Sequence, residues 1–111
     1  MPVGLLRPAA LLALGQACWA QSSYPLTYTS CGVDNTVAQA PSRVVTMNQG
    51  VTEFMLAMGL ADKMVGTAYL DDAIWPQYAE DYASVPVLSS GYPTEAELVA
   101  ANPDFILGSY K

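Results

Sequence analysis

Four short apolar, β-branched runs recur along this chain at an interval of about twenty residues. They are "RVVTM" at 43–47, "KMVGTAY" at 63–69, "VPVL" at 85–88 and "DFILGSY" at 104–110. A segment of helical character fills each gap. Strands alternating with helices at this spacing specify βαβ units and a parallel sheet. Such crossovers are right-handed in nearly all folds. The expected class is therefore α/β: a parallel sheet of about four strands with flanking helices.

The gaps carry their own boundary signals. From Val51 to Met58 the apolar residues fall at 51, 54, 55 and 58, the i, i+3, i+4, i+7 spacing of a helix face. Glu53 suits the first turn, where a carboxylate favours the helix dipole, and Gly59 supplies the stop. In the second gap Asp71 and Asp72 are candidate N-caps, and Pro76 suits a first turn. In the third, Thr94 and Glu97 match the capping box, and Asn102-Pro103 ends the helix.

Upstream, "SYPLTYTSCG" reads as a strand, "VDN" as a turn and "TVAQA" as a return strand. Residues 21–41 are thus expected to form a β-hairpin, with residues 42–111 as the α/β unit. The last of these runs ends at Tyr110, and only Lys111 follows it. A strand buried on both faces needs cover, so this unit is expected to be incomplete, part of a larger protein.

Composition narrows the function classes. The chain is 52% hydrophobic and 13% charged, with net charge −6, which suits a packed domain rather than a disordered one. Past Ala20, ten acids face Arg43, Lys63 and Lys111. That balance argues against nucleic acid or anionic lipid as a partner. Histidine is absent, which limits transition-metal ligation and removes Ser-His-Asp and Cys-His catalysis. Residues 1–20 resemble a secretory signal. Arg7 precedes the apolar run 9–14, and "CWA" places small residues at −3 and −1 for cleavage after Ala20. Cys18 offers the alternative of a lipid anchor, although Gly15 stands where a lipoprotein signal carries an aliphatic residue. Cleavage would leave Cys31 alone, with a partner expected beyond this chain.

In an open parallel sheet, ligands bind where strands run into helices, at the carboxyl ends. That rule selects Asn48-Gln49-Gly50, residues 67–70, residues 89–93 and Ser109-Tyr110. These places hold amides, hydroxyls and tyrosines, which hydrogen-bond and stack on a ligand without reacting with it. Asn48, Gln49, Gly50, Tyr69, Tyr92 and Ser109 are the candidate contacts, with Gly50 expected to let the chain turn tightly. No catalytic residue, metal site or cofactor is expected. The elbow "NQGVTE" has one glycine and no lysine, so it is not a phosphate loop.

The run "APSRVVTMNQGVTEFMLAMGLADKMVGTA" is similar to bacterial ABC-transporter substrate-binding proteins, in the branch that carries iron–siderophore, haem or cobalamin. The carrying features are Pro41-x-Arg43-Val44-Val45, the polar elbow, Thr52-Glu53, the Met-Gly-Leu helix end and Val65-Gly66. "AANPDFI", 100–106, resembles that family's helix-to-strand junction. The resemblance spans residues 24–111. It implies one lobe, the N-terminal, of a two-lobed periplasmic fold, with a metal chelate or other small organic ligand between the lobes. It further implies an inner-membrane permease as partner, a periplasmic or otherwise exported location and a monomeric receptor. The family often places a glutamate in the helix before the Pro-Asp junction, where it pairs with the permease. Here that position is Ala96, flanked by Glu95 and Glu97, which become the docking candidates. Two other readings compete: an exported enzyme fragment of α/β type, which would need a base to activate Ser89, Ser90 or Ser109, and a small self-contained interaction domain.

Overall fold

The structure, a computed structural model, describes Gly4 and residues 23–109. The signal segment 1–20, its cleavage point, the Cys18 anchor and Tyr110 lie outside the described residues. Two sheets are present among the described residues. Strands β1 (Leu26–Ser30) and β2 (Val33–Val37) form an antiparallel hairpin. The second sheet holds β3 (Val44–Thr46), β4 (Met64–Ala68), β5 (Val87–Ser89) and β6 (Phe105–Leu107), all parallel, in the order β5-β4-β3-β6. Helices α1 (Gln49–Ala57), α2 (Ala79–Ala83) and α3 (Glu95–Ala101) lie in the three crossovers.

The hairpin turns one step earlier than "VDN" suggests. Cys31 and Gly32 are its two loop residues, with φ of 52° and 75°. Positive φ at both positions marks the type I′ turn, one of the two that match strand twist, and Gly32 adopts it without strain. Val33, Asp34 and Asn35 are therefore paired strand, opposite Ser30, Thr29 and Tyr28.

Helix α1 also departs from expectation. It begins at Gln49, and its buried residues are Thr52, Met55 and Leu56, while Phe54 and Met58 are exposed. The inward face is rotated by one residue from the apolar stripe 51, 54, 55, 58. Thr52 explains the shift, because its hydroxyl is fully satisfied inside. It contacts Thr46 and Thr67 hydroxyls at 2.8 Å each and donates to the Asn48 carbonyl at 2.7 Å. Thr46 donates to Thr67 at 3.0 Å. Three hydroxyl protons serve four contacts, so the Thr46 proton is shared between its two neighbours. All three side chains are fully buried, and they lock β3, β4 and α1 together.

The core on this side of the sheet is Val44, Met55, Leu56, Met64 and Val85, with Ile74, Tyr78 and Tyr82 packed against it. In β4, Gly66 leaves room for Leu88; a Cβ there would lie 2.6 Å from Leu88 Cδ1.

At the opposite end of the sheet a polar clasp joins β3 to β6. Arg43 donates from Nε to the Asn102 carbonyl (2.7 Å) and from Nη2 to the Ala101 carbonyl (2.8 Å). A guanidinium there satisfies the last carbonyls of α3 and suits its negative end. Asn102 closes the helix in the left-handed region, φ 48°. The Asp104 carboxylate accepts the N–H of Ser42 and of Arg43, the latter at 2.8 Å. These backbone donors hold its pKa below the ordinary carboxylate value.

Asp71 and Asp72 do not cap a helix. The next turn is a 3-10 helix at Pro76–Tyr78, with Pro76 in its first turn, running into α2. β6 is shorter than its apolar run, and Phe105 and Ile106 remain 43% and 48% exposed. It is an edge strand, and no other described strand pairs on its far side.

Candidate functional site

The strand order fixes where a ligand crevice would open. The chain enters the sheet at β3, builds outward through β4 and β5, then returns to the other side of β3 as β6. The direction of winding reverses between β3 and β6. In open parallel sheets the crossover helices diverge at such a point, and ligands bind at the carboxyl ends of the two strands that flank it.

Asn48 and Ser109 meet at that point. The β3–β6 ladder continues one bond past the strands, Met47 N–H to the Leu107 carbonyl at 2.9 Å, and so holds the two following loops side by side. Ser109 Oγ donates to Asn48 Oδ1 at 3.2 Å. The same Oδ1 accepts the Val51 N–H at 3.3 Å, which makes Asn48 the N-cap of α1. Asn48 is 1% exposed, and its Nδ2 has no hydrogen-bond partner among the described residues. An unpaired buried donor costs about 1–3 kcal/mol, so something else in the surroundings must over-determine this side chain. Val51 N–H and Ser109 Oγ hold its Oδ1, and the threonine lock holds its backbone carbonyl through Thr52.

One strand over, Tyr69 and Tyr92 stack with ring centroids 4.7 Å apart and planes 28° from parallel. Tyr69 follows β4 directly, and its N–H points to the Ser89 carbonyl at 3.4 Å. Its φ is 52°, a conformation that costs a side-chain-bearing residue about 1–2 kcal/mol. Strain of this kind clusters at ligand sites. Tyr92 is 52% exposed, so the pair presents aromatic surface at the rim.

Gln49 has a different neighbourhood. Its Oε1 accepts the Asp72 N–H at 2.8 Å, and its Nε2 donates to the Ala73 carbonyl and to Glu53 Oε1, both at 3.2 Å. Glu53 in turn accepts the Trp75 N–H at 3.1 Å. Gln49 and Glu53 together brace the loop after β4, and both amide hydrogens of Gln49 are used in doing so. Gly50 lies in the first turn of α1 with room for a Cβ, whose nearest neighbour would be 3.7 Å away. The tight turn is made by extended Asn48, φ −163°, and does not require glycine at 50.

The two docking candidates also separate. Glu97 Oε2 accepts the Thr94 N–H at 2.7 Å and the Thr94 hydroxyl at 2.9 Å, and these bonds lower its pKa. Thr94 Oγ1 returns the bond from the Glu97 N–H, completing the capping box. Glu95 is exposed on the same first turn.

Thr46, Thr52 and Thr67 position this site through their buried hydroxyls, a role not expected of them from sequence, although Thr67 opens the selected 67–70 loop. Thr46 and Thr67 sit inside otherwise apolar runs, "VVTM" and "MVGTA", and Thr52 follows Val51 in the helix between them; that repeated intrusion of threonine was the available signal.

No protein-family model matches the chain, and no curated protein matches it significantly. Solved structures do. A periplasmic binding protein from Veillonella parvula is 39% identical, covering 75% of this chain and 29% of its own, with a TM-score of 0.66. An ABC-type Fe3+-hydroxamate transport system protein from Saccharomonospora viridis is 33% identical, covering 78% of this chain and 33% of its own, with a TM-score of 0.56. The chain is one lobe of a periplasmic-binding-protein fold. The lobe spans about a third of the length of these neighbours, both of which are binding or transport proteins. Its strand-end residues form an open wall. Three surface hollows of the lobe lie elsewhere, beside the hairpin, α3 and Phe105.

Proposed function

We propose that this chain is the N-terminal lobe of an exported receptor that captures a metal chelate and delivers it to an ABC permease, and that it is not an enzyme. The observation that carries the reading is the Asn48–Ser109 contact at the sheet's switch point, on a chain similar in sequence and fold to periplasmic binding proteins. The stacked Tyr69–Tyr92 pair beside it supplies aromatic surface without a reactive group. Asn48, Tyr69, Tyr92 and Ser109 are the contacts assigned to the ligand, and Gln49 and Gly50 are assigned to shaping the wall. An iron–siderophore complex is the favoured cargo, because the Saccharomonospora neighbour belongs to an Fe3+-hydroxamate system. Docking to the permease falls to Glu95, since Glu97 is held by its own helix cap. Export through the N-terminal signal completes the reading, with the mature receptor in the periplasm.

The test is tryptophan fluorescence of the full-length gene product titrated with ferric siderophores, haem and cobalamin. At least one should bind with Kd below about 1 μM. If none does, the assignment of cargo class is wrong.

A further inference from the structure

The free edge of β6 lies between two apolar hollows, one on each face of the sheet. In the first, Leu98 and Val99 of α3 meet Ile106. In the second, Met55 of α1 and Leu60 meet Phe105, with Pro41, Val44 and Lys63 around them. Phe105 and Ile106 are successive strand residues, so they point to opposite faces. Helix α1 therefore lies on one face and α3 on the other. Helix α2 shares the α1 face, since Tyr82 packs on the same core as Met55 and Val44. The outer flank of α1 is apolar as well. Gln49 and Glu53 face the loop after β4. At about 100° per residue, Phe54 and Met58 lie toward the other flank, beside β6, and they are 59% and 47% exposed.

Chain handedness separates the two hollows. The crossovers β3–β4 and β4–β5 run one way along the sheet, with their helices on the α1 face. The crossover β5–β6 runs the other way, with α3 on the opposite face. A further right-handed crossover leading outward from β6 keeps that second direction, so its helix falls beside α3. It covers Val99 and Ile106 and leaves the Phe105 hollow open. Geometry leaves room there for one helix. Helices pack about 8–10 Å apart, and strands lie about 4.8 Å apart. Helix α1 sits over β3 and β4, where Thr52 contacts Thr46 and Thr67. A helix laid against its Phe54–Met58 flank therefore falls over β6 and its free edge. We propose that the Phe105 hollow docks an apolar-faced helix from the part of the full-length receptor beyond residue 111, which arrives as a separate segment and not as a crossover of this sheet. The similar solved proteins have the length to supply it, since the lobe covers 29% and 33% of them. This inference rests on the reading of the chain as the first lobe of a longer receptor.

The test places the photoreactive residue p-benzoylphenylalanine at position 105 in one variant of the full-length gene product and at position 54 in another. Both positions hold exposed phenylalanines on the lobe, and circular dichroism checks that each variant folds. After irradiation, both variants should join to one segment downstream of Lys111, mapped by mass spectrometry, in a product that runs as a monomer. Cross-links confined to residues 21–111, or none at all, overturn the docking. A covalent dimer also overturns it and assigns the hollow to a second copy. The ferric siderophore titration is run on the same samples. Binding without the downstream cross-link leaves the receptor reading intact. A product whose mass shows no chain beyond Lys111 overturns both.

Discussion

Asn48 serves the cap of α1, the contact to Ser109 and the carbonyl that terminates the threonine lock, all within one residue. Its position therefore depends on groups that never touch the crevice. Thr52→Val should expose that dependence. It removes the acceptor for Thr67 and the donor to the Asn48 carbonyl, and should lower stability by about 1–3 kcal/mol in urea denaturation. Replacing Thr46, Thr52 and Thr67 together by valine should cost clearly less than the sum of the three single changes, because no buried hydroxyl is left without a partner. Additive losses would argue against a cooperative lock. Gly66→Ala should lower stability by about 1–3 kcal/mol in the same assay, since the whole Leu88 side chain must move to admit the methyl. These residues were the hardest to interpret from sequence. Periodicity counts apolar positions, and a threonine buried through its hydroxyl breaks the count, so α1 is rotated from its expected face.

At the scale of elements, the clasp between Arg43, Asn102 and Asp104 explains why "PSR" and "NPD" belong together although they are sixty residues apart along the chain. Asp104 and Glu97 both have pKa values lowered by hydrogen bonds to backbone and hydroxyl donors. Depressed carboxylates add stability above their ordinary pKa range, and that stability is lost as pH falls through the lower folded values. Thermal melts from neutral pH down through the carboxylate range should therefore show Tm falling on the acid side. Asp104→Asn should melt lower at neutral pH and show a shallower acid limb; an identical limb would assign the loss to other carboxylates. The order of strands and helices was legible in the sequence, because the spacing, the capping box and Asn102-Pro103 are local signals. The hairpin turn was not, since "CG" carries less turn signal than the polar "VDN" beside it. The strand-end rule selected the loops that carry Asn48, Tyr69, Tyr92 and Ser109. It could not show that Gln49 braces a loop, because its partners Asp72 and Ala73 lie over twenty residues away.

Across the whole molecule the two sheets differ in how they are supported. The hairpin has one face with Leu26, Tyr28, Val33 and Val37 and the other with Thr27, Thr29, Asp34 and Thr36, and β1 is exposed throughout. A two-stranded sheet is marginal without cover. Native-state hydrogen exchange should show the β1–β2 amides exchanging far faster than those of β3 and β4; equal protection would mean that the hairpin is packed in solution. The central sheet draws its strength from β3, the most buried strand, and both of its neighbours come later in the chain. During synthesis from the N-terminus, β3 therefore emerges with neither edge paired. It gains β4 about twenty residues later and β6 only after about forty more. The strand at the centre of the finished lobe is thus held open for most of the lobe's synthesis, and the Arg43–Asp104 end becomes the last seam to close.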